Sequence, residues 1–262
     1  MSPLLRIGAG RMATALVEGW SLASTIERGR ILVRSTSPLS STLEGVVENP
    51  TADQIASAAT VVLAVKPHVW REALEPLAAE LAPDAVVVSV MAGVPVGSIS
   101  QVLGGRAVAR VMPTTAVAIA QGVASLFATS DEARRRAHAL FGPIATVVDF
   151  DEEHFLHAAT AISGSGPAYL YAFMEALEAV GLDLGLTVLQ SARLTRATIA
   201  GAATLMSQSG QEPADLRRQV TSPNGTTAAA LAILMGHGGL RDLLGGAVAA
   251  AACRSRELAG EP

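Results

Sequence analysis

Five short stretches of this chain carry residue types at spacings that could do chemistry. The first is Gly8-Ala9-Gly10-Arg11-Met12-Ala13, directly after the apolar run Leu4-Leu5-Arg6-Ile7 and before a helix-compatible stretch to Trp20. In such a turn the first glycine permits the bend, the second lets a pyrophosphate reach the backbone, and Ala13 lets the helix pack on the strand. The helix start then offers N–H donors and a favourable field to a phosphate. A lone glycine pattern is weak in a chain with 24 glycines. Its place between a first strand and a helix favours a dinucleotide site, with Ile7, Gly8, Ala9, Gly10, Arg11 and Met12 in contact, over a purely structural turn.

The second stretch is Arg34-Ser35-Thr36, at the end of the second expected strand. A site selective for NAD would place an acidic residue there to hold the ribose hydroxyls. A guanidinium flanked by hydroxyls instead suits a 2′-phosphate, so NADPH is the expected cofactor. The alternative is that Arg34 stacks on adenine and NADH is accepted as well. Further on, Ala64-Val65-Lys66-Pro67 closes a buried strand at the sheet edge where ligands bind in open α/β folds. Lys66 is the only lysine in the chain. It is read as a ligand contact, against the alternative of a side chain that merely snorkels from a strand end.

The last two stretches are turn-to-helix junctions, Ser163-Gly164-Ser165-Gly166-Pro167-Ala168-Tyr169 and Thr221-Ser222-Pro223-Asn224-Gly225-Thr226-Thr227. Each sets small residues, hydroxyls and unpaired N–H groups at a helix start, which holds an anion without a charged side chain. As plain helix caps they would be unremarkable. Two of them in a chain with a cofactor domain point to a pocket that grips a carboxylate.

These residues need two kinds of element to position them. Residues 4–7, 30–34, 60–65, 85–90, 107–111 and 146–149 read as strands separated by crossovers, with 122–128 as a further candidate. That alternation predicts a parallel, doubly wound, Rossmann-type sheet over residues 1–150. After residue 151 the strand signals stop. Helices are expected at 152–161, 167–180, 186–207, 213–220, 226–235 and 240–257, with Gly181, Gly210 and Gly236 at helix ends. The helices at 186–207 and 226–235 are apolar on more than one face. Residues 151–262 are therefore read as an all-helical domain for dimerisation and substrate binding, rather than a self-contained helical bundle.

Composition narrows the function classes. The net charge of −4 gives no basic footprint for nucleic acid. The run Arg134-Arg135-Arg136, which follows Asp131 and Glu132, reads as a solvated helix face. No apolar stretch reaches the ~20 residues of a membrane span, and the start of the chain lacks a signal-peptide layout, so the cytoplasm is expected. Cys253, the sole cysteine, forms no internal disulfide and is expected as a small core residue. His154 and His157, three apart on an expected helix, lack a third ligand and are read as helix residues, so no metal is expected.

Taken in order, Ile7-Gly8-Ala9-Gly10 with Met12, Leu63-Ala64-Val65-Lys66-Pro67, Ala92-Gly93-Val94, residues 108–113, 163–169 and 222–227 make the chain resemble pyrroline-5-carboxylate reductases nearly end to end. The resemblance implies NAD(P)H-dependent reduction of a small cyclic imine carboxylate, Δ1-pyrroline-5-carboxylate, to proline. It also implies an N-terminal Rossmann domain, a helical C-terminal domain, and a homodimer or higher homo-oligomer. Carried over by motif, Ala92, Gly93, Pro113 and Thr114 join the cofactor contacts. The substrate carboxylate meets Ser222, Asn224, Gly225 and Thr226, with Ser163, Gly164 and Ser165 beside it, and Thr227 lies near the imine nitrogen. The sequence departs from the family at two points. Thr114 stands where the family usually has asparagine, which removes an amide expected near the nicotinamide. Asn224 stands where it usually has glycine, a change that asparagine's tolerance of left-handed angles makes mild.

A cyclic imine can arrive already protonated, so hydride transfer needs positioning more than a strong acid. Thr227 is the expected imine-orienting group, and Glu153 is a carboxylate that could line the cleft. Two other readings stand beside this one. One is a related imine or 3-hydroxyacid reductase of the same architecture, although the 3-hydroxyacid enzymes need a lysine in the helical domain. The other is an NADP-binding regulator without turnover.

Overall fold

A computed structural model describes residues 3–35 and 45–260. It forms two compact units. One comprises the chain up to Gly164 together with the segment from Ala251 onward; the other is Ser165–Ala250.

The first unit is built on eight strands among the described residues. They are β1 (Leu4–Ile7), β2 (Ile31–Arg34), β3 (Val47–Glu48), β4 (Thr60–Leu63), β5 (Val86–Ser89), β6 (Val108–Pro113), β7 (Gly122–Ala128) and β8 (Ala145–Asp149). The order β3-β2-β1-β4-β5-β6 is that of the doubly wound dinucleotide fold. All neighbours run parallel except β6 and β7, where Arg110 pairs antiparallel with Phe127. The parallel, doubly wound sheet expected from the sequence is present, and among the described residues β6 and β7 are its one antiparallel pair. Only residues 114–121 join the two strands, too short a link for a crossover helix, so the chain turns back on itself through the 3-10 turn Thr115–Ile119.

Alternation along the strands fills a core on each face. Ile31, Val33, Val62, Val88 and Val111 point to one side. There they meet Leu16, Val17 and Trp20 of α1 (Arg11–Leu22). Ala133, Ala137 and Phe141 of the Asp131–Phe141 helix lie in the same core. The indole N–H of Trp20 donates to the Leu140 carbonyl at 2.8 Å, so its one polar atom is satisfied within this core. On the other side Leu5, Leu32, Val61, Leu63 and Val87 meet Ile55 of α2 (Ala52–Ala56), Trp70 and Leu74 of α3 (Trp70–Leu74), and Ile99 of α4 (Val96–Val102). Thr51 starts α2 with a reciprocal capping box to Gln54. The Asp131–Phe141 helix, α5, starts with the Ser130 hydroxyl accepting from Ala133.

The expected helix at 152–161 is instead α6 (Phe155–Ala159) followed by a π-turn over Thr160–Gly164. The second unit holds α7 (Gly166–Asp183), α8 (Val188–Ser209), α9 (Pro213–Gln219), α10 (Thr226–Leu234) and the start of α11 (Leu240–Ala259). Gly181 is not a helix end. It lies inside α7 where a Cβ would stand 2.1 Å from the Ser191 hydroxyl, so it permits the close approach of α7 and α8. Gly210 does end α8, at φ +63°. Cys253 is exposed on α11 rather than buried in a core. No helix among the described residues is long and apolar enough to cross a membrane.

Candidate active site

The carboxyl ends of β1, β2 and β4 are tied together at Gly8. Its N–H donates to the Arg34 carbonyl at 2.9 Å, and its φ of +103° is one that side-chain-bearing residues avoid. A Cβ there would lie 2.5 Å from the Ala64 carbonyl oxygen. The Ala64 N–H in turn donates to Ile7 at 2.9 Å. Two residues on, the constraint reverses: a Cβ on Gly10 would meet nothing within 4 Å. Ile7 and Gly8 are buried, Ala9 and Met12 half-buried, and Gly10 and Arg11 exposed. Helix α1 begins without a side-chain cap and without an acidic residue in its first turn. Open space over uncapped amides at a helix start fits a pyrophosphate.

Around this loop the parallel sheet gathers the other expected cofactor contacts at its carboxyl edge. Arg34 ends β2 exposed to solvent and Ser35 follows it half-buried; Thr36 lies outside the described residues. The short strand β3, not expected from sequence, brings Glu48 into register with Val33. After β4, Ala64 and Val65 are half-buried, while Lys66 and Pro67 are exposed where a 3-10 turn starts. After β5, Ala92 is exposed, and Gly93 adopts φ +71°. Pro113 ends β6. Thr114 is buried, and its hydroxyl accepts from the Val123 N–H at 3.0 Å while its own N–H donates to Val123 at 2.9 Å. Thr114 thus closes the β6–β7 ladder with its side chain.

One group beside this edge had no assigned role in the sequence reading. Arg110 of β6 is almost fully buried, and its Nη1 donates to Glu153 Oε1 at 2.8 Å. The same carboxylate accepts the Val96 N–H at 3.0 and 3.3 Å. The available signal was an arginine within the apolar strand Ala107-Val108-Ala109-Arg110-Val111, which demands a buried partner. His157 is also buried, with Nδ1 2.9 Å from the Ser255 hydroxyl.

Ser163 and Gly164 lie in the π-turn, where the Ser163 hydroxyl donates to the Ala159 carbonyl at 2.8 Å. Ser165 precedes α7, which starts without a side-chain cap and with Pro167 in its first turn. Within the second unit, Ser222, Pro223 and Asn224 are exposed and lead into α10. Asn224 takes φ +59°, the left-handed angle asparagine tolerates, and Gly225 donates its N–H to Ser222 at 3.1 Å. A Cβ on Gly225 would lie 2.3 Å from the Ser222 hydroxyl, which would have to rotate away to admit a side chain. Gly225 caps α10 without a side chain, and no acidic residue occupies the first turn. The amides of Thr226 and Thr227 open the helix, with Thr226 exposed and Thr227 half-buried. Such a start, with open amides and a hydroxyl on each of its first two residues, has the chemistry to accept an anion.

Residues 153–258 match the model described as pyrroline-5-carboxylate reductase dimerisation, and residues 6–93 match one described as NADP oxidoreductase, coenzyme F420-dependent. Pyrroline-5-carboxylate reductase of Pseudomonas aeruginosa is 37% identical over 97% of this chain and 95% of its own length. Among solved structures, a pyrroline-5-carboxylate reductase from Coxiella burnetii is 33% identical, with a TM-score of 0.89 over 98% of both chains. The Plasmodium falciparum pyrroline carboxylate reductase with NADP bound is 25% identical, with a TM-score of 0.84 over 98% of both chains.

Proposed function

The chain belongs to the pyrroline-5-carboxylate reductase family, and on that premise we propose that it reduces Δ1-pyrroline-5-carboxylate to L-proline with NADPH, the last step of proline synthesis. The observation that carries this reading is similarity that runs through both units, joined to an open, uncapped phosphate loop at the sheet edge.

When bound, NADPH supplies the hydride that forms the new C–H bond at the imine carbon. The amides from Gly10 to Met12 hold its pyrophosphate, and Ile7, Gly8 and Ala9 form the turn beneath. Arg34 and Ser35, with Thr36 next in sequence, take the 2′-phosphate, and the exposure of Arg34 supports this. Ala64, Val65, Lys66, Pro67, Ala92, Gly93, Pro113 and Thr114 line the remainder of the cofactor site. The substrate carboxylate is held by Ser222, Asn224, Gly225 and Thr226, with Ser163, Gly164 and Ser165 as further contacts. The Thr227 hydroxyl orients the imine nitrogen. Because the imine enters protonated, the electrons arrive as hydride and the nitrogen keeps its proton, so no side chain has to donate one.

The working form is a homodimer or larger, assembled through the helical unit and located in the cytoplasm. Exposed Tyr171, Val180, Val188, Leu189, Met206 and Ile233 support an assembled helical unit. The test is steady-state turnover of Δ1-pyrroline-5-carboxylate followed as NADPH consumption. Saturable turnover is expected; NADPH binding without turnover would make the protein a cofactor-binding regulator instead.

A further inference from the structure

The turn between β5 and α4 is pinned from two sides. Its backbone runs from Val90, whose N–H donates to Leu63 at 3.0 Å, through Gly93 to Val96. At the α4 end, both carboxylate oxygens of Glu153 face the Val96 N–H, at 3.0 and 3.3 Å. Arg110 holds that carboxylate from the β6 side at 2.8 Å. At the middle of the turn, Gly93 lies against the last turn of α11: a Cβ on Gly93 would stand 2.6 Å from the Leu258 carbonyl oxygen. That part of α11 belongs to the same compact unit as the sheet. It is fastened by the 2.9 Å contact between Ser255 and the buried His157. Glu153 and His157 are four residues apart, so one short segment supplies both fastenings.

We propose that Glu153, held by Arg110, is a positioning residue for cofactor binding, and that His157 with Ser255 is a second fastening of the same turn. The proposal rests on the reading that Ala92 and Gly93 contact NADPH. Neither Glu153 nor His157 needs to touch the cofactor. Glu153 fixes Val96, and His157 fixes the helix end against which Gly93 packs, so the amides of the turn are set before the cofactor arrives. Preorganisation of this kind shows in affinity because a loose turn must be ordered on binding.

A charge left buried without its partner would confuse the experiment, so the pair is tested with both charges removed. In an Arg110→Met background, Glu153→Gln keeps an oxygen that accepts from Val96, whereas Glu153→Leu does not. Direct fluorescence titration with NADPH is expected to give a Kd within about threefold of the parent for the Gln variant. For the Leu variant a loss of about tenfold or more is expected, at matched melting temperature. KM for the imine should differ little between the two. In the otherwise unaltered chain, Ser255→Ala is expected to weaken NADPH about twofold to fivefold, with Ser255→Thr recovering it. Equal NADPH affinity in the Gln and Leu variants overturns the proposal. Should those double variants fail to fold, an unchanged Kd in Ser255→Ala overturns it. A parent chain that does not bind NADPH refutes the cofactor reading itself, a different result from a parent that binds and variants that do not differ.

Discussion

The hydroxyl of Thr227 and the guanidinium of Arg34 are each assigned one interaction, which makes single substitutions informative. Thr227→Ala deletes the hydroxyl and leaves the α10 amides in place, so NADPH affinity should survive while kcat/KM for the imine falls about 10²-fold, the low end for a positioned donor. Thr227→Ser should recover most of that loss in the same assay; parent-level rates in both variants would make Thr227 an ordinary helix residue. Arg34→Ala should weaken NADPH by about 1–3 kcal/mol and NADH little, as measured by paired titrations. Equal losses for the two cofactors would show that Arg34 does not read the 2′-phosphate. Arg6 carries a different prediction. It sits in β1 in register with Val33 and Val62, fully buried, and its guanidinium nitrogens have no hydrogen-bond partner among the described residues. Burial pushes its pKa down to about 10, well below the usual range of a guanidinium. A base whose folded pKa is depressed destabilises the fold fully below that folded value, and the penalty relaxes only as pH rises through it toward the unfolded value. At neutral pH the shift corresponds to about 3 kcal/mol. Arg6→Met should therefore raise Tm by several degrees in a thermal melt, and a lower Tm would mean that the guanidinium has a stabilising partner.

At the scale of elements, the strands of four or more residues were legible and the two-residue strand was not. β1 and β7 fall on their expected residues, 4–7 and 122–128, because apolar residues there are bounded by glycine and polar turns. β3 is two residues long and has no period to read. The antiparallel turn of β7 is invisible to periodicity, which fixes which face a residue takes but not the direction of the chain. The length of the 114–121 link held that information. The candidate site divides the same way. The proposed phosphate-loop contacts could be read from local sequence because one turn and one helix start would make them. The Arg110–Glu153–Val96 cluster joins residues far apart in the chain, so sequence offered only an arginine in an apolar strand. A test at this scale is Gly8→Ala, which places a Cβ 2.5 Å from the Ala64 carbonyl at φ +103°. NADPH binding should be lost with the β1–α1 turn, as seen by titration. Parent-like affinity would show that this turn does not shape the cofactor site.

For the molecule as a whole, the helical unit exposes more apolar surface than a lone unit keeps in water. Leu189 is 67% exposed, Val188 72% and Ile233 78%. Helix α10 has apolar residues around its circumference, as expected for a helix covered on several sides. Sedimentation at low protein concentration should find a dimer or larger, and a folded monomer would contradict the assembly. Hydride transfer from NADPH to a cyclic imine can be followed by isotope. The enzyme is incubated with Δ1-pyrroline-5-carboxylate and NADPH carrying deuterium at both C4 positions, and the product is read by mass spectrometry. Proline with a single deuterium at C5, the former imine carbon, is expected. Unlabelled proline, or NADPH bound and left unconsumed with no proline formed, would contradict it.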